Sequence, residues 1–222
     1  MTTSFHIVYQ HPDFLVLDKP PGLSVHKDEH ERGLVERVAD ATGHEKLWLV
    51  HRLDKVTSGL LILAKNAQSA VQFQQLFAQK AVEKQYIALA MGKPKKKQGL
   101  IIGDMQKARN GSWRLSKTQE NPAITRFYSQ SVMPNLRLYH LWPKTGKTHQ
   151  LRVAMKSLGV PILGDRRYAG EQADRTYLHA YALQFAYNGQ TIAISCAPKC
   201  GQWFQDARVQ QAINLLHKHN TG

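Results

Sequence analysis

The sequence predicts an α+β domain with a mixed, largely antiparallel β-sheet flanked by helices. Strand-like and helix-like segments alternate irregularly, which disfavours a strict βα repeat. Asn188-Gly189 sits between two apolar segments and signals a two-residue hairpin. The chain has 222 residues, 42% hydrophobic and 21% charged, the balance of a globular domain with a substantial core. No internal repeat and no long linker is visible, so residues 1–222 read as a single domain.

Taken in order, Phe14–Lys19 is a short apolar strand that stops at the turn Pro20-Pro21-Gly22. Leu34, Val35, Val38 and Ala41 recur at helical spacing between Gly33 and Gly43. Leu47–Leu53 and Leu60–Lys65 read as buried strands on either side of a turn. Asn66 is placed to cap a helix over Ala67–Ala81, with Ala70, Phe73, Leu76 and Phe77 on one face. Lys84–Gly92 is a strand and Lys93–Gly99 a basic loop. Lys107–Asn121 is polar and cationic, the composition of a hairpin or insertion. Ala123–Gln130 and Leu136–Leu141 are strands. Thr148 is placed to cap a helix over His149–Leu158. There Leu151, Ala154, Met155 and Leu158 form a core face, and His149, Arg152 and Lys156 a polar one. Leu178–Tyr187 and Thr191–Cys196 form the hairpin. The last helix, about Phe204–His217, has Val209, Ala212, Ile213 and Leu216 at helical spacing.

No apolar run approaches the roughly 20 residues that span a bilayer. The start, Met1-Thr2-Thr3-Ser4-Phe5-His6, lacks the basic and apolar regions of a secretory signal. Cytoplasmic location and a monomeric state are the default expectations. Cys196 and Cys200 have no second pair to complete a zinc site, so two reduced thiols, no metal and no redox role are expected. Net charge is +14 and unevenly spread. Residues 1–90 carry 10 basic and 10 acidic side chains, residues 91–170 carry 16 and 3, and residues 171–222 carry 4 and 3. Such concentration suits a polyphosphate partner. A membrane surface fits less well, because no basic amphipathic helix is evident.

Three strings carry chemistry. In His51-Arg52-Leu53-Asp54-Lys55-Val56-Thr57-Ser58-Gly59, an aspartate at a turn lies beside cationic side chains that favour its ionised form. Taken alone, an aspartate after a strand is more often a structural turn residue. In Lys84-Gln85-Tyr86-Ile87-Ala88-Leu89, Tyr86 taken alone reads as a packing residue of a strand. Lys144-Thr145-Gly146-Lys147-Thr148-His149-Gln150-Leu151-Arg152 opens a helix, whose first amide groups add positive potential.

Together, and in this order, these strings resemble the motifs of the RluA-type pseudouridine synthases. Asp18-Lys19-Pro20-Pro21-Gly22 resembles that family's first motif. Leu158–Tyr168 and Leu178-His179-Ala180 resemble its downstream strings, read as architectural. The resemblance covers about residues 7–198 and is that of a short member without the S4 RNA-binding domain of many relatives. It implies isomerisation of uridine in structured RNA, ribosomal or transfer RNA, by base flipping and without a cofactor. It implies Asp54 as the catalytic carboxylate, Arg152 as its counter-charge and Tyr86 as the residue stacking on the base and moving a proton. Arg52 would support the flipped state, and Leu151 would pack beneath the base. Lys95, Lys96, Lys97, Lys144 and Lys147 would grip phosphates, and His149 and Gln150 would hold the loop. Three rivals remain: an RNA binder without catalysis, a hydrolase releasing free base, and a structural ribosome-associated protein.

Overall fold

The computed structural model describes residues 5–25 and 33–219, with side chains to residue 215. Met1–Ser4, read above for a signal sequence, and the side chain of Leu216 lie outside the described residues. Two compact units are present: Met1–Lys84 with His179–Cys196, and Gln85–Leu178 with Ala197–Gly222.

In the first unit, strands β1 (His6–Gln10), β2 (Phe14–Lys19), β4 (Ser58–Ala64) and β11 (Leu178–Tyr187) lie in that order. β3 (Trp48–Leu49) adds to β4, and β12 (Gln190–Ser195) to β11. The pairings are antiparallel except β4 with β11, where His179 lies opposite Ser58 and Ala180 opposite Gly59. At that parallel junction Gly59 has φ +108, and a Cβ there would collide with the Ala180 backbone. β11 and β12 turn at Asn188 and Gly189, both at positive φ, as the Asn-Gly signal requires. Helix α1 (Leu34–Thr42) ends at Gly43 in the left-handed conformation.

Helix α2 (Ala67–Ala78) begins where Asn66 Oδ1 accepts the Ser69 N–H at 2.8 Å. It stops three residues before the expected Ala81. Lys80 turns left-handed (φ 57), and the Ala81 N–H closes back on the Leu76 carbonyl. Phe73 from α2 stacks on Tyr187 at 5.3 Å and meets Phe14 edge-on at 5.0 Å, inside a core with Val16, Ile62 and Leu183.

In the second unit the order is β5 (Glu83–Met91), β10 (Leu136–Pro143), β9 (Ala123–Met133) and β6 (Gln98–Gly103), all antiparallel. β7 (Met105–Lys107) and β8 (Trp113–Leu115) form a separate hairpin that overlaps the stretch Lys107–Asn121 read as a hairpin or insertion and begins two residues before it. Helix α3 (Gln150–Ser157) packs on β9 and β10. Helix α4 (Ala207–His219) starts later than expected, because Asp206 caps it by accepting the Arg208 N–H at 2.9 Å. Of the four positions read at helical spacing, Val209 and Ile213 are buried among the described side chains, and Phe204 is buried ahead of the helix. Cys196 is buried, Cys200 is exposed, and neither forms a disulfide.

The mixed, largely antiparallel architecture agrees with the sequence reading. The expected strand Leu47–Leu53 shrinks to Trp48–Leu49, for a reason that bears on the candidate site. β1 and β6 were not anticipated. Among the described residues, no helix is long and apolar enough to cross a membrane.

Candidate active site

In the first unit, Asp54 is half-buried in the loop between β3 and β4, and Arg52 in the same loop is exposed. β3 pairs with β4 for two residues, Trp48 with Ala64 and Leu49 with Leu63. The next outward N–H of β4, that of Ile62, is taken by a side chain: His51 Nε2 accepts it at 2.9 Å. A histidine ring thus stands in for a strand carbonyl, and the backbone is released to turn toward Asp54. The acceptor must be neutral with its proton on Nδ1. Burial, and secondarily the Lys84 charge, push its pKa down to about 3. Phe77 covers the ring, with centroids 4.8 Å apart.

The far side of the loop is held by Lys19. Its fully buried ammonium donates to the carbonyls of Pro20 (2.9 Å), Leu23 (2.9 Å) and Lys55 (3.2 Å). The Gly22 N–H donates to the same Lys55 carbonyl at 2.8 Å. The Pro20–Gly22 turn is therefore bonded to the residue that follows Asp54. The Thr57 N–H closes a turn onto the Asp54 carbonyl at 3.0 Å. Ser58 Oγ meets His179 Nδ1 at 2.8 Å, and His179 Nε2 meets the Cys196 carbonyl at 2.8 Å.

Potential ligand atoms of Asp18, His179 and Cys196 lie within 4.8 Å of one another. They do not suit a metal. Nε2 must carry the proton to donate to a carbonyl, and the Nδ1 lone pair is engaged by Ser58, so the imidazole has none left for a cation.

In the second unit, Tyr86 lies on β5 opposite Leu141, which lies opposite Phe127. Directly opposed residues share a face, so these three project to one side together with Thr125. That side carries α3, because Gln150 Nε2 donates to Thr125 Oγ1 and to the Ile124 carbonyl, each at 3.0 Å. Gln150 Oε1 accepts from Thr145 Oγ1 at 2.8 Å and from the Lys147 N–H at 3.0 Å. One buried amide thus ties the Thr145–His149 loop to the sheet, the holding role read for Gln150. His149 occupies the helix-capping position in a left-handed conformation (φ 57) without a side-chain cap, so the expected Thr148 cap is replaced.

Leu151 is buried, as read. Arg152 is not on an open polar face: it is 5% exposed. Its Nε and Nη2 donate to the two carboxylate oxygens of Asp165 at 2.7 and 2.8 Å, and Asp165 is 1% exposed. A bidentate carboxylate makes the burial of a guanidinium tolerable. The Tyr168 ring lies 5.0 Å from the guanidinium carbon. The Tyr168 hydroxyl meets His149 Nδ1 at 2.8 Å and accepts the Trp113 N–H of β8 at 3.1 Å. The sequence motifs mark Asp165 and Tyr168 only as architectural. A usable signal existed: Asp165 is one of three acids among residues 91–170, where an acid amid many cations is a candidate ion-pair partner.

Lys95, Lys96 and Lys97 are exposed between β5 and β6. The Lys95 N–H anchors that loop to the Leu158 carbonyl, at the end of α3, at 3.2 Å. Lys144 is exposed just after β10, and Lys147 Nζ donates to Asn121 Oδ1 at 2.7 Å. The β7–β8 hairpin is closed at its base by Asp104, which accepts the N–H groups of Glu120 (3.0 Å) and Asn121 (2.9 Å). Arg167 grips its tip through the carbonyls of Asn110 and Gly111.

Comparison with known proteins agrees with these motifs. A family model for RNA pseudouridylate synthase matches residues 13–157. An uncharacterized RNA pseudouridine synthase of Haemophilus influenzae is 58% identical over 211 residues, covering 94% of each chain. A ribosomal large subunit pseudouridine synthase C of Rickettsia bellii is 34% identical over 189 residues, 80% of this chain and 62% of that relative's length. The solved structure of human RNA pseudouridylate synthase domain containing 4 superposes with a TM-score of 0.74 at 26% identity, covering 92% of this chain and 93% of that one. With its motif-bearing loop, strand and helix each built as described, and a family match across most of its length, the chain belongs to the RluA-type family of RNA pseudouridine synthases.

Proposed function

We propose that this chain isomerises particular uridines of structured RNA, ribosomal or transfer RNA, by flipping the base and attacking or stabilising the sugar with Asp54. The reaction detaches uracil from C1′, rotates it and rejoins it through carbon. A carboxylate at C1′ serves as nucleophile or stabilises the developing positive charge. Neither task needs a metal or redox cofactor. Arg152 supplies the counter-charge that orients Asp54, and Asp165 in turn fixes the Arg152 fork. Tyr86 stacks on the flipped base and moves a proton, Leu151 supports it, and Arg52 occupies the space the base leaves. Lys95, Lys96, Lys97, Lys144 and Lys147 contact phosphates. The large-subunit activity in the name of the Rickettsia bellii relative favours ribosomal RNA. Cytoplasmic location, a monomeric state and a single catalytic domain complete the reading.

The observation that carries it is the double anchoring of the Asp54 loop, by His51 on one side and Lys19 on the other. A turn with a purely structural aspartate does not need a buried ammonium on the following carbonyl. A reacting carboxylate does need that precision. Asp54→Asn keeps the shape and removes the charge. Tritium release from RNA carrying 5-tritiated uridine is expected to fall about 10³-fold or more, with RNA affinity largely kept. Near-normal release by the variant would remove Asp54 from the mechanism. Free uracil among the wild-type products would instead indicate a hydrolase.

A further inference from the structure

The second unit has an outward face that the proposed chemistry does not use. Thr125, Phe127, Leu141 and Tyr86 point toward α3, so their neighbours point the other way. Two cross-strand rows result: Leu100, Arg126 and Trp142, and beside it Gln98, Tyr128 and His140. α4 covers part of this face, where Gln130 Nε2 reaches the Ala212 carbonyl. Beyond it, Leu100 is 58% exposed and Tyr128 44% exposed, and Arg126 is exposed as well. The Arg126 guanidinium lies 4.4 Å from the Trp142 ring centre. His140 stacks on Trp142 (5.9 Å, 24°) and lies tilted against Tyr128 (5.8 Å, 37°). His140 is 1% exposed, and neither ring nitrogen has a hydrogen-bond partner among the described residues. A buried polar ring left unpaired costs stability, so folding alone does not account for it.

We propose that this face is a second RNA-contacting surface, a stacking platform for unpaired nucleotides flanking the target uridine. It rests on the RNA-modifying reading above. Charge favours RNA over a protein partner: β6, β9 and β10 contain no acidic residue, Lys97 directly precedes β6, and Lys144 directly follows β10. Geometry supplies the path. The Lys95–Lys97 loop is anchored at the end of α3 on one side of the sheet and runs straight into β6, the outer strand of this unit's sheet. A strand of RNA following those lysines reaches Leu100, Arg126 and Tyr128 next. Aromatic faces and an arginine plane accept any base, so the platform binds without reading sequence.

The test uses the full chain and two RNAs: a stem-loop with an unpaired tail and the same stem-loop without one. Tyr128→Thr and Arg126→Gln alter exposed side chains and should fold normally. Each is expected to weaken binding of the tailed RNA about fivefold to tenfold and to leave the blunt RNA unaffected. Arg126→Gln should also reduce the tailed RNA's salt slope by about 0.7. A 4-thiouridine in the tail should crosslink to the peptide containing Tyr128. Equal effects on both RNAs, or none on either, overturn the platform. So does a dimer in sedimentation that Leu100→Lys dissolves while tail binding persists, since the face would then join two copies of the chain. Binding is read without turnover. A chain that binds tailed RNA this way yet forms no pseudouridine sinks the catalytic reading alone, and an isomerising chain indifferent to both variants sinks only the platform.

Discussion

The loop that carries Asp54 and the helix that carries Arg152 are held by different means. The loop is held by neutral acceptors: a buried ammonium among three carbonyls, and an uncharged imidazole taking a strand N–H. The helix residue is held by a full countercharge, the paired oxygens of Asp165. Neutral acceptors orient a backbone without adding charge of their own. A countercharge fixes a guanidinium rigidly but leaves each partner dependent on the other. The loop is therefore the part sensitive to acid, through His51. The helix is the part sensitive to removal of a single charge.

The largest stability effect should follow from breaking the ion pair on one side. Asp165→Asn removes the carboxylate charge that both Nε and Nη2 of the buried guanidinium donate to and is expected to cost about 3–5 kcal/mol in urea unfolding. Joint replacement, Arg152→Met with Asp165→Leu, should recover much of that stability while isomerisation stays lost. A single-variant cost below about 1 kcal/mol would mean that the pair does not hold the helix.

Lys19→Met should cost less, about 2 kcal/mol, because losing the hydrogen bonds is partly offset by no longer burying a charge. Its larger effect should be on kcat, roughly tenfold or more with little change in KM, because the Lys55 carbonyl beside Asp54 loses one of its two donors. An unchanged kcat would show that Gly22 alone positions the loop.

The most graded effect is that of pH. The folded pKa of His51, about 3, lies below its ordinary value of 6.5. Above pH 6.5 the ring is neutral folded or unfolded, and its contribution to stability is fully present. Below that pH the unfolded chain takes up a proton that the native ring refuses. Stability then falls by about 1.4 kcal/mol per pH unit for this one group until its folded pKa is reached. His140, lowered by burial to about 4, adds a second such loss. His51→Gln keeps an acceptor for Ile62 and removes the titration. Urea midpoints between pH 7.5 and 5 should then slope less steeply than in the wild type, by one proton. Equal slopes would mean that His51 is not held neutral.

Local chemistry made much of this molecule legible in its sequence. Asn66 caps α2, Gly43 closes α1 and Asn188-Gly189 turns the last hairpin, because each acts through its own backbone and immediate neighbours. The apolar runs of β2 and β4 needed no partner to be recognised, and the motif strings located Asp54, Tyr86 and Arg152. Interactions between distant residues decided the rest. β6 is a strand only because β9 lies beside it. β3 ends after two residues because a side chain, His51, takes the N–H that a third would have bonded. Arg152 looks like a surface cation at its helical position. It is buried because Asp165, thirteen residues further on, folds back so that its two oxygens accept from Nε and Nη2 of the guanidinium. Capping and turn formation are settled within a few residues, so sequence determines them. Burying a charge requires a partner in space, and only the tertiary structure decides which one.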